Sequence, residues 1–225
     1  TSRSNSDEFR YNKYKGNINK SSNQGSMFSL LSNPETYGFD ANTKAITSDY
    51  YAYLAAVRQL DNPKTIAINL FATPGIDYVN QTSLVNDIIE IIEEERGDSV
   101  YVVTTPDKPF GAGDSKPEMY TPEEAVANLE DADIDSNYAC TYYPWVQYYD
   151  TTNNQYIYLP LTLDVVRNMA YTDNIVQPWY ASAGWNRGDI SGVGPRRKLK
   201  IAEQDILYNG RINYVNSFAQ KGNKV

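Results

Sequence analysis

Histidine is absent from the 225 residues, and cysteine occurs once, at Cys140. Without an imidazole the chain lacks the usual general base and the commonest metal ligand at neutral pH. No Ser-His-Asp or Cys-His arrangement can form. A single thiol builds no disulfide framework, suits a reducing compartment during folding, and reads as a small buried hydrophobe. No apolar run approaches the ~20 residues that span a bilayer as a helix. Positive charge is scarce as well: 20 Lys and Arg stand against 28 Asp and Glu, a net charge of −8. With pI near 4.6 the chain should repel phosphate backbones, which argues against nucleic-acid binding. It opens on Thr1 with no charged-then-apolar leader, and we expect a piece of a longer protein.

Hydrophobic residues make up 41% of the chain, enough for one substantial core or two small ones. Tyrosine outnumbers phenylalanine 20 to 6. A phenol joins an apolar face to a hydroxyl that tolerates water, which suits surfaces that become interfaces. Residues 1–46 are polar and irregular, apart from a small cluster at Met27, Phe28, Leu30 and Leu31, and read as an arm or the remnant of a neighbouring domain.

Order is predicted from Thr47. SDYYAYLAAVRQL (48–60) sets Tyr50, Leu54, Val57 and Leu60 on one stripe of a helix capped by Thr47 or Ser48. TIAINLF (65–71) predicts a strand covered on both faces, and Thr73-Pro74-Gly75-Ile76 a type II turn. VNQTSLVNDIIEIIEEER (79–96) predicts a helix with Leu84, Val85, Ile88, Ile89 and Ile92 inward and Gly97 as its left-handed cap. SVYVVTTP (99–106) predicts a second buried strand, so the strand–helix–strand succession implies parallel neighbours. After a Gly/Pro loop (107–120), Thr121-Pro122-Glu123-Glu124 is a capping box with proline at the first helical position, opening a helix that runs to Ala132. YACTYYPWVQYYD (138–150) predicts one long strand, turned by TTNNQ into YIYLPLT. LTLDVVRNMAYTDN (161–174) predicts an amphipathic helix, RRKLKIAEQDILYNG (196–210) another, and INYVNSF (212–218) a last strand. The sum is an α/β fold with a mostly parallel sheet flanked by helices and an appended hairpin.

No motif carries catalytic chemistry. Arg-Gly-Asp occurs at 96–98 and 187–189, too short a signal for adhesion, and Gly97 already has a structural use. GAGDSK (111–116) lacks the spacing of a phosphate-binding loop. Asp131, Asp133 and Asp135 alternate as an EF-hand loop opens, but Ser136 stands where glycine is needed and Tyr142 where the bidentate glutamate belongs. Ser99, Ser182 and Ser191 have no histidine base, and no Ser-x-x-Lys supplies a lysine in a strand-to-helix context. We expect no enzyme activity, no cofactor and no metal.

Two surfaces remain of interest. Tyr142, Tyr143, Trp145, Tyr148 and Tyr149 are of the type that stacks on sugars, which makes a carbohydrate-binding surface module the alternative reading. Strand alternation sends Tyr142 and Tyr148 to one face, and core packing with subunit contact accounts for the group without a ligand. Arg196, Arg197, Lys198 and Lys200 form a basic patch in an acidic chain; Glu90, Glu93, Glu94 and Glu95 of another copy would complement it. The plainer reading is a solvated face, since exposed ion pairs contribute only ~0–1 kcal/mol each.

The succession in LPLTLDVVRNMAYTDNIVQPWYASAGWNRGDISGV (159–193) resembles the contractile tail sheath proteins of bacteriophages. These carry a strand exit, Leu-or-Val-Pro, a helix, A-x-T-D and then P-W-x-x-x-A-G-x-N-R-G. Thr172-Asp173, Pro178-Trp179, Ala183-Gly184 and Asn186-Arg187-Gly188 match it. TIAINLFATPGID, RGDSVYVVTTP, YYPWVQYYD and LYNGRINYVNSF resemble further family elements in the same order, so the likeness covers about residues 47–218.

The resemblance implies a subtilisin-like sheath core over 47–193 and the truncated start of a C-terminal sheath domain over 194–225. It implies a structural subunit that assembles helically around a tail tube and contracts to drive it through the host envelope. Partners would be other sheath copies, the tube protein, and baseplate and terminator proteins, with no nucleic acid and no membrane. The fragment itself would be monomeric; the site would be the virion tail, after synthesis in the host cytoplasm. The loop of Pro178, Trp179, Gly184, Trp185, Asn186, Arg187 and Gly188 is expected to be a brace. In it the two tryptophans anchor against the sheet, the glycines permit tight backbone paths, and Arg187 bonds to carbonyls or a carboxylate within the loop.

Overall fold

Helix α1 (Ser48–Arg58) buries Leu54 and Val57, two members of the expected stripe. Helix α2 (Thr82–Glu90) buries Leu84, Val85, Ile88 and Ile89, and continues as a π-helical turn, Ile91–Arg96, that buries Ile92. α1 and α2 pack on one another. Arg96, at the end of this run, is buried and donates to the carbonyls of Leu60 and Ile66, the latter at 3.1 Å. Gly97 follows at φ +67°, the left-handed conformation expected of it. The computed structural model describes residues 48–107, 119–177, 180–218 and 222–225. The arm (1–46), the GAGDSK loop, and Pro178 with Trp179 lie outside the described residues. Two compact units result: one holds α1 and α2, the other Ile68–Val79 with Gly97–Val225.

In the second unit, β1 (Leu70–Asp77), β2 (Val100–Thr104), β3 (Ala139–Tyr143) and β7 (Asn213–Tyr214) form one parallel sheet in the order β1-β2-β3-β7. The β-branched and aromatic runs VYVVT and ACTYY suit a sheet covered on both faces. β1 corrects two expectations. The strand begins at Leu70, not Thr65, and Thr73-Pro74-Gly75-Ile76 is no turn between elements but a register shift inside the strand. The ladder pairs Ala72 with Val102 and resumes at Asp77 with Thr104. Pro74 has no N–H to give and Gly75 sits at φ +92°, so the chain bulges there and rejoins.

Alternation along these strands makes two cores. Val102 packs with Val146, Leu161, Val165 and Val215, joined by Ala72, Cys140, Tyr142 and Tyr148, beneath α4 (Thr162–Ile175). Tyr143 packs instead with Ala125, Leu207 and Ile212, from α3 (Pro122–Asp131), α5 (Ile201–Asn209) and the residues beside them. Each fully buried side chain of this size contributes about 1.5–3 kcal/mol. The α3 capping box is present as expected: Thr121 Oγ1 accepts from Glu124 N at 3.3 Å, and Glu124 Oε2 accepts from Thr121 N at 2.8 Å.

The expected single strand over 138–150 is two. It breaks at the cis Tyr143-Pro144 bond, where proline cannot extend the ladder. β4 (Val146–Asp150) then joins a second sheet of order β5-β4-β6, antiparallel to β5 (Gln155–Leu159) and to β6 (Gly194–Pro195). Two further boundaries move. α5 begins at Ile201, so Arg196 to Lys200 precede the helix and do not form it. INYVNSF divides at Val215, which turns into the α4 core and donates its N–H to Tyr143 O at 3.0 Å. Beyond it β8 (Asn216–Phe218) pairs antiparallel with β9 (Gly222–Lys224).

Candidate functional site

The loop that follows α4 is held by the chain's own last residues. Gly184 N donates to Val225 O, and Val225 N to Gly188 O, both at 2.9 Å; Asp189 bridges antiparallel to Lys224. Lys224 is buried and its ammonium pairs with the Asp189 carboxylate. A Cβ on Gly188 would lie 2.6 Å from Val225 O, so only glycine lets the two backbones meet. Gly184 sits at φ +97°. Arg187 donates from Nε to Ala181 O at 2.9 Å, and its guanidinium stands 5.5 Å from the Tyr180 ring centroid. Trp185 is exposed, and its ring meets that of Phe218 of β8 at 4.6 Å. Asn186 is exposed beside it.

A set of residues that sequence reasoning missed holds this loop on α4. Asp164 is buried in the first turn of α4 and accepts from Ser191 Oγ at 2.6 Å, from Ser191 N at 3.1 Å and from the Tyr148 hydroxyl. Asn168 Nδ2 donates to Asp189 O at 2.9 Å, and Thr172 Oγ1 to Asn168 O at 2.8 Å. Asp164, Asn168 and Thr172 recur every four residues, an inward polar stripe that amphipathic logic assigns to solvent. The stripe was visible in LTLDVVRNMAYTDN as spacing, but nothing local says that the matching acceptors and donors lie on 189–191. Val165 still faces the core beside this stripe, while Leu163, Tyr171 and Ile175 are exposed on the outward face, with Arg167 between them.

The basic stretch is mostly tied within the chain. Arg196, whose side chain is 8% exposed, pairs with Asp107 and lies 4.6 Å from the Tyr158 ring centroid. Arg197 pairs with Glu203. The Lys200 N–H and then the Arg197 guanidinium hold the Glu203 carboxyl below its usual value. Lys198 and Lys200 are exposed. On the other unit, Glu90, Glu94 and Glu95 are exposed and Glu93 is half-buried. Asp61, Asp87, Glu90, Glu94 and Glu95 line one cleft of about 380 Å³ with Arg58 as its only cation among the described residues. Burial, then the charge of Glu90, raises the Asp87 carboxyl.

The tyrosine cluster divides between cores and surface. Tyr142 and Tyr148 share the α4 core as alternation predicts, Tyr143 fills the opposite one, and Trp145 donates to Thr105 O at 2.8 Å. Tyr149 is exposed and stacks on Tyr156. Cys140 lines a cleft of about 360 Å³ with Leu129, Ile134 and the exposed Asp135–Arg211 pair. Burial pushes its thiol up to about 11, so it stays protonated at neutral pH. Among the described residues no three His, Cys, Asp or Glu side chains converge as a metal site, and no helix is long and apolar enough to cross a membrane.

What the described residues compose is an α/β fold whose loop after α4 is held by internal bonds, with Glu90, Glu94, Glu95, Tyr171, Tyr180 and Trp185 left exposed. That fold is shared with contractile assemblies: a chain of the anti-feeding prophage baseplate and a chain of its helical sheath in the contracted state each superpose with TM-score 0.53 at 19% identity. They cover 80% of this chain and 42% and 44% of theirs. The sequence is similar to tail sheath proteins. It is 35% identical over 102 residues to that of Vibrio phage KVP40 and 41% identical over 71 residues to that of Enterobacteria phage T4. Those matches span 45% and 30% of this chain but only 15% and 10% of the two relatives. No protein-family model matches.

Proposed function

We propose that this chain is part of a structural subunit of a contractile tail sheath, which assembles helically around a tail tube and shortens to drive it through a host envelope. The observation that carries the reading is the 35% identity over 102 residues to a tail sheath protein, joined to a fold shared with a contracted sheath. Partners would be further sheath copies, the tube, the baseplate and the tail terminator, in the virion tail after synthesis in the host cytoplasm. Residues 47–193 would form the sheath core and 194–225 the start of the C-terminal domain.

Physically, such a machine needs subunits stiffer than their contacts and two lattice arrangements between which they move as rigid bodies. The buried Asp164 network, the capping box of α3 and the strand-like tie of Val225 to Gly184 and Gly188 supply stiffness. Lys198 and Lys200, and the Glu90–Glu95 face, are candidate contacts that exchange between the lattices. The test is electron microscopy of the full-length parent protein. Tubes with a cogwheel cross-section, in a long and a short form, are expected; a parent that forms no tubes under any assembly condition overturns the reading.

A further inference from the structure

The outward face of α4 and the loop behind it carry the composition of a binding hot spot. Tyr171, Tyr180 and Trp185 are each at least half exposed, and Arg167 and Arg187 stand among them. Tryptophan, tyrosine and arginine dominate the energetics of protein interfaces because they bury large, stiff, amphipathic surfaces. Arg167, Asn168, Tyr171, Asn186, Arg187 and Asp189 line a single cleft of about 390 Å³. Its charges do not cancel. Lys224 is matched by Asp189, and Arg167 lies 3.7 Å from Asp164. The Arg187 guanidinium has, among the described residues, only the Ala181 carbonyl and the Tyr180 ring. A surplus cation in a chain of net charge −8 points to an anionic partner.

The same chain exposes a matching anion. The cleft between α1 and the π-helical turn holds five carboxylates against Arg58, and its floor includes Leu54 and Ile91. Burial, and after it the charge of Glu90, raises the Asp87 carboxyl there. An arginine fork entering it would meet paired carboxylate oxygens and bury an apolar stem. Arg196 and Arg197, the cations that sequence alone sets against this face, are tied to Asp107 and Glu203. Arg167 and Arg187 stand on a helix and a braced loop instead.

We propose that the Arg167–Tyr171–Arg187 surface of one copy receives the Glu90, Glu94 and Glu95 face of the next. The inference rests on the sheath reading, since it supplies one of the contacts by which copies would join. Two different patches meeting head to tail form a heterologous contact, the kind that builds rings where its rotation closes and open helical chains where it does not, as a helical assembly requires.

The test is sedimentation velocity of the full chain at high concentration, in low salt and in about 0.5 M salt. A chain that is monomeric when dilute and associates weakly at high concentration, with the association fading in salt, is expected. Arg167→Gln with Arg187→Gln, which keeps amide donors and removes the charge, should weaken it roughly tenfold. Arg167→Glu with Arg187→Glu should abolish it, as should Glu90→Lys with Glu94→Lys and Glu95→Lys. Mixing those two reversed proteins should restore association, because each then meets an opposite patch on the other; only folded chains can do this. Association unchanged in either reversed protein overturns the contact, as does a mixture that stays monomeric, or a wild-type chain monomeric throughout. In all three cases tubes of the full-length parent still decide the sheath reading separately.

Discussion

The four-stranded parallel sheet and the three-stranded antiparallel sheet of the second unit use tyrosine differently. In the parallel sheet Tyr101 and Tyr143 are buried, and each hydroxyl has a partner: Tyr101 shares a 2.6 Å bond with Thr73 Oγ1, and Tyr143 donates to Tyr120 O at 2.8 Å. In the antiparallel sheet Tyr149 and Tyr156 face solvent 44% and 58% exposed, and hold each other by their rings at 5.1 Å. Tyr158, next along β5, lies under the Arg196 guanidinium. A phenol in a dry layer is worth having only if its hydroxyl is satisfied; at the surface the ring does the packing and the hydroxyl finds local partners, Asn154 Oδ1 for Tyr149 and Gln147 Nε2 for Tyr158. One side chain thus serves rigidity in the parallel sheet and surface contact on the outer face of the antiparallel one, whose inner face still sends Tyr148 into the α4 core to meet Asp164.

The broadest way to break this comparison is alkali. Burial raises the phenols of Tyr78, Tyr101, Tyr142, Tyr143 and Tyr148 well above the usual tyrosine value, and raises the Cys140 thiol from 9.0 to about 11. For a group whose folded pKa exceeds its unfolded value, the stabilisation is complete below the unfolded pKa and is lost as pH climbs beyond it. Loss should therefore begin near pH 9, from Cys140, and steepen above about pH 10 as the phenols join. Melting curves from pH 8 to 12 should show a steep fall, with ultraviolet ionisation of the buried tyrosines coincident with unfolding. Ionisation of all tyrosines without loss of structure would contradict the burial.

Single substitutions separate the sheets. Leu161 is fully buried where both sheets meet, against Val102 of β2 and Val146 of β4. Leu161→Ala should cost about 2–5 kcal/mol by chemical denaturation, with one cooperative transition for both sheets. A loss below ~0.5 kcal/mol would mean the site is not packed as described. Gly192→Val is aimed at the antiparallel sheet alone. A Cβ there would stand 2.1 Å from Val146 Cγ1 and 2.8 Å from Gln147 O; the side chain can shift but the backbone oxygen, which also accepts from Val193 N, cannot. A cost of about 1–3 kcal/mol is expected. A neutral outcome would show that β6 is free to leave β4.

What was legible in the sequence followed local rules. The Thr121 capping box, the stripe from Leu84 to Ile92 and the span of α4 rest on contacts three or four residues apart, and each is present. What was illegible depends on partners far along the chain. Pro74-Gly75 carries turn chemistry, but the bonds of β1 to β2 on either side absorb it as a bulge. Pro144 interrupts what alternation presents as one strand. Arg196 meets Asp107 across 89 positions, so no local pattern could tell that a basic cluster is half neutralised within the chain. Asp164, Asn168 and Thr172 point inward because the loop at 189–191 supplies acceptors and donors, and polar spacing alone does not distinguish this from a solvated face.

The finest test sets the two kinds of tyrosine directly against each other. Tyr143→Phe keeps the ring in the core beside Leu207 and Ile212 but removes the only hydrogen that the side chain gives to Tyr120 O. The carbonyl loses its bond in a part-buried site, and about 0.5–1.5 kcal/mol should be lost. Tyr156→Phe removes a hydroxyl from a residue mostly in water and retains the ring contact with Tyr149, so its effect should lie within about 0.5 kcal/mol of zero. Denaturant midpoints measured side by side at one pH decide the matter, because the same atom is deleted in both variants. Equal losses would show that the hydroxyl matters as much at the surface as in the core. A larger loss at Tyr156 would move the structural weight to the antiparallel sheet and remove the division of labour on which the comparison stands.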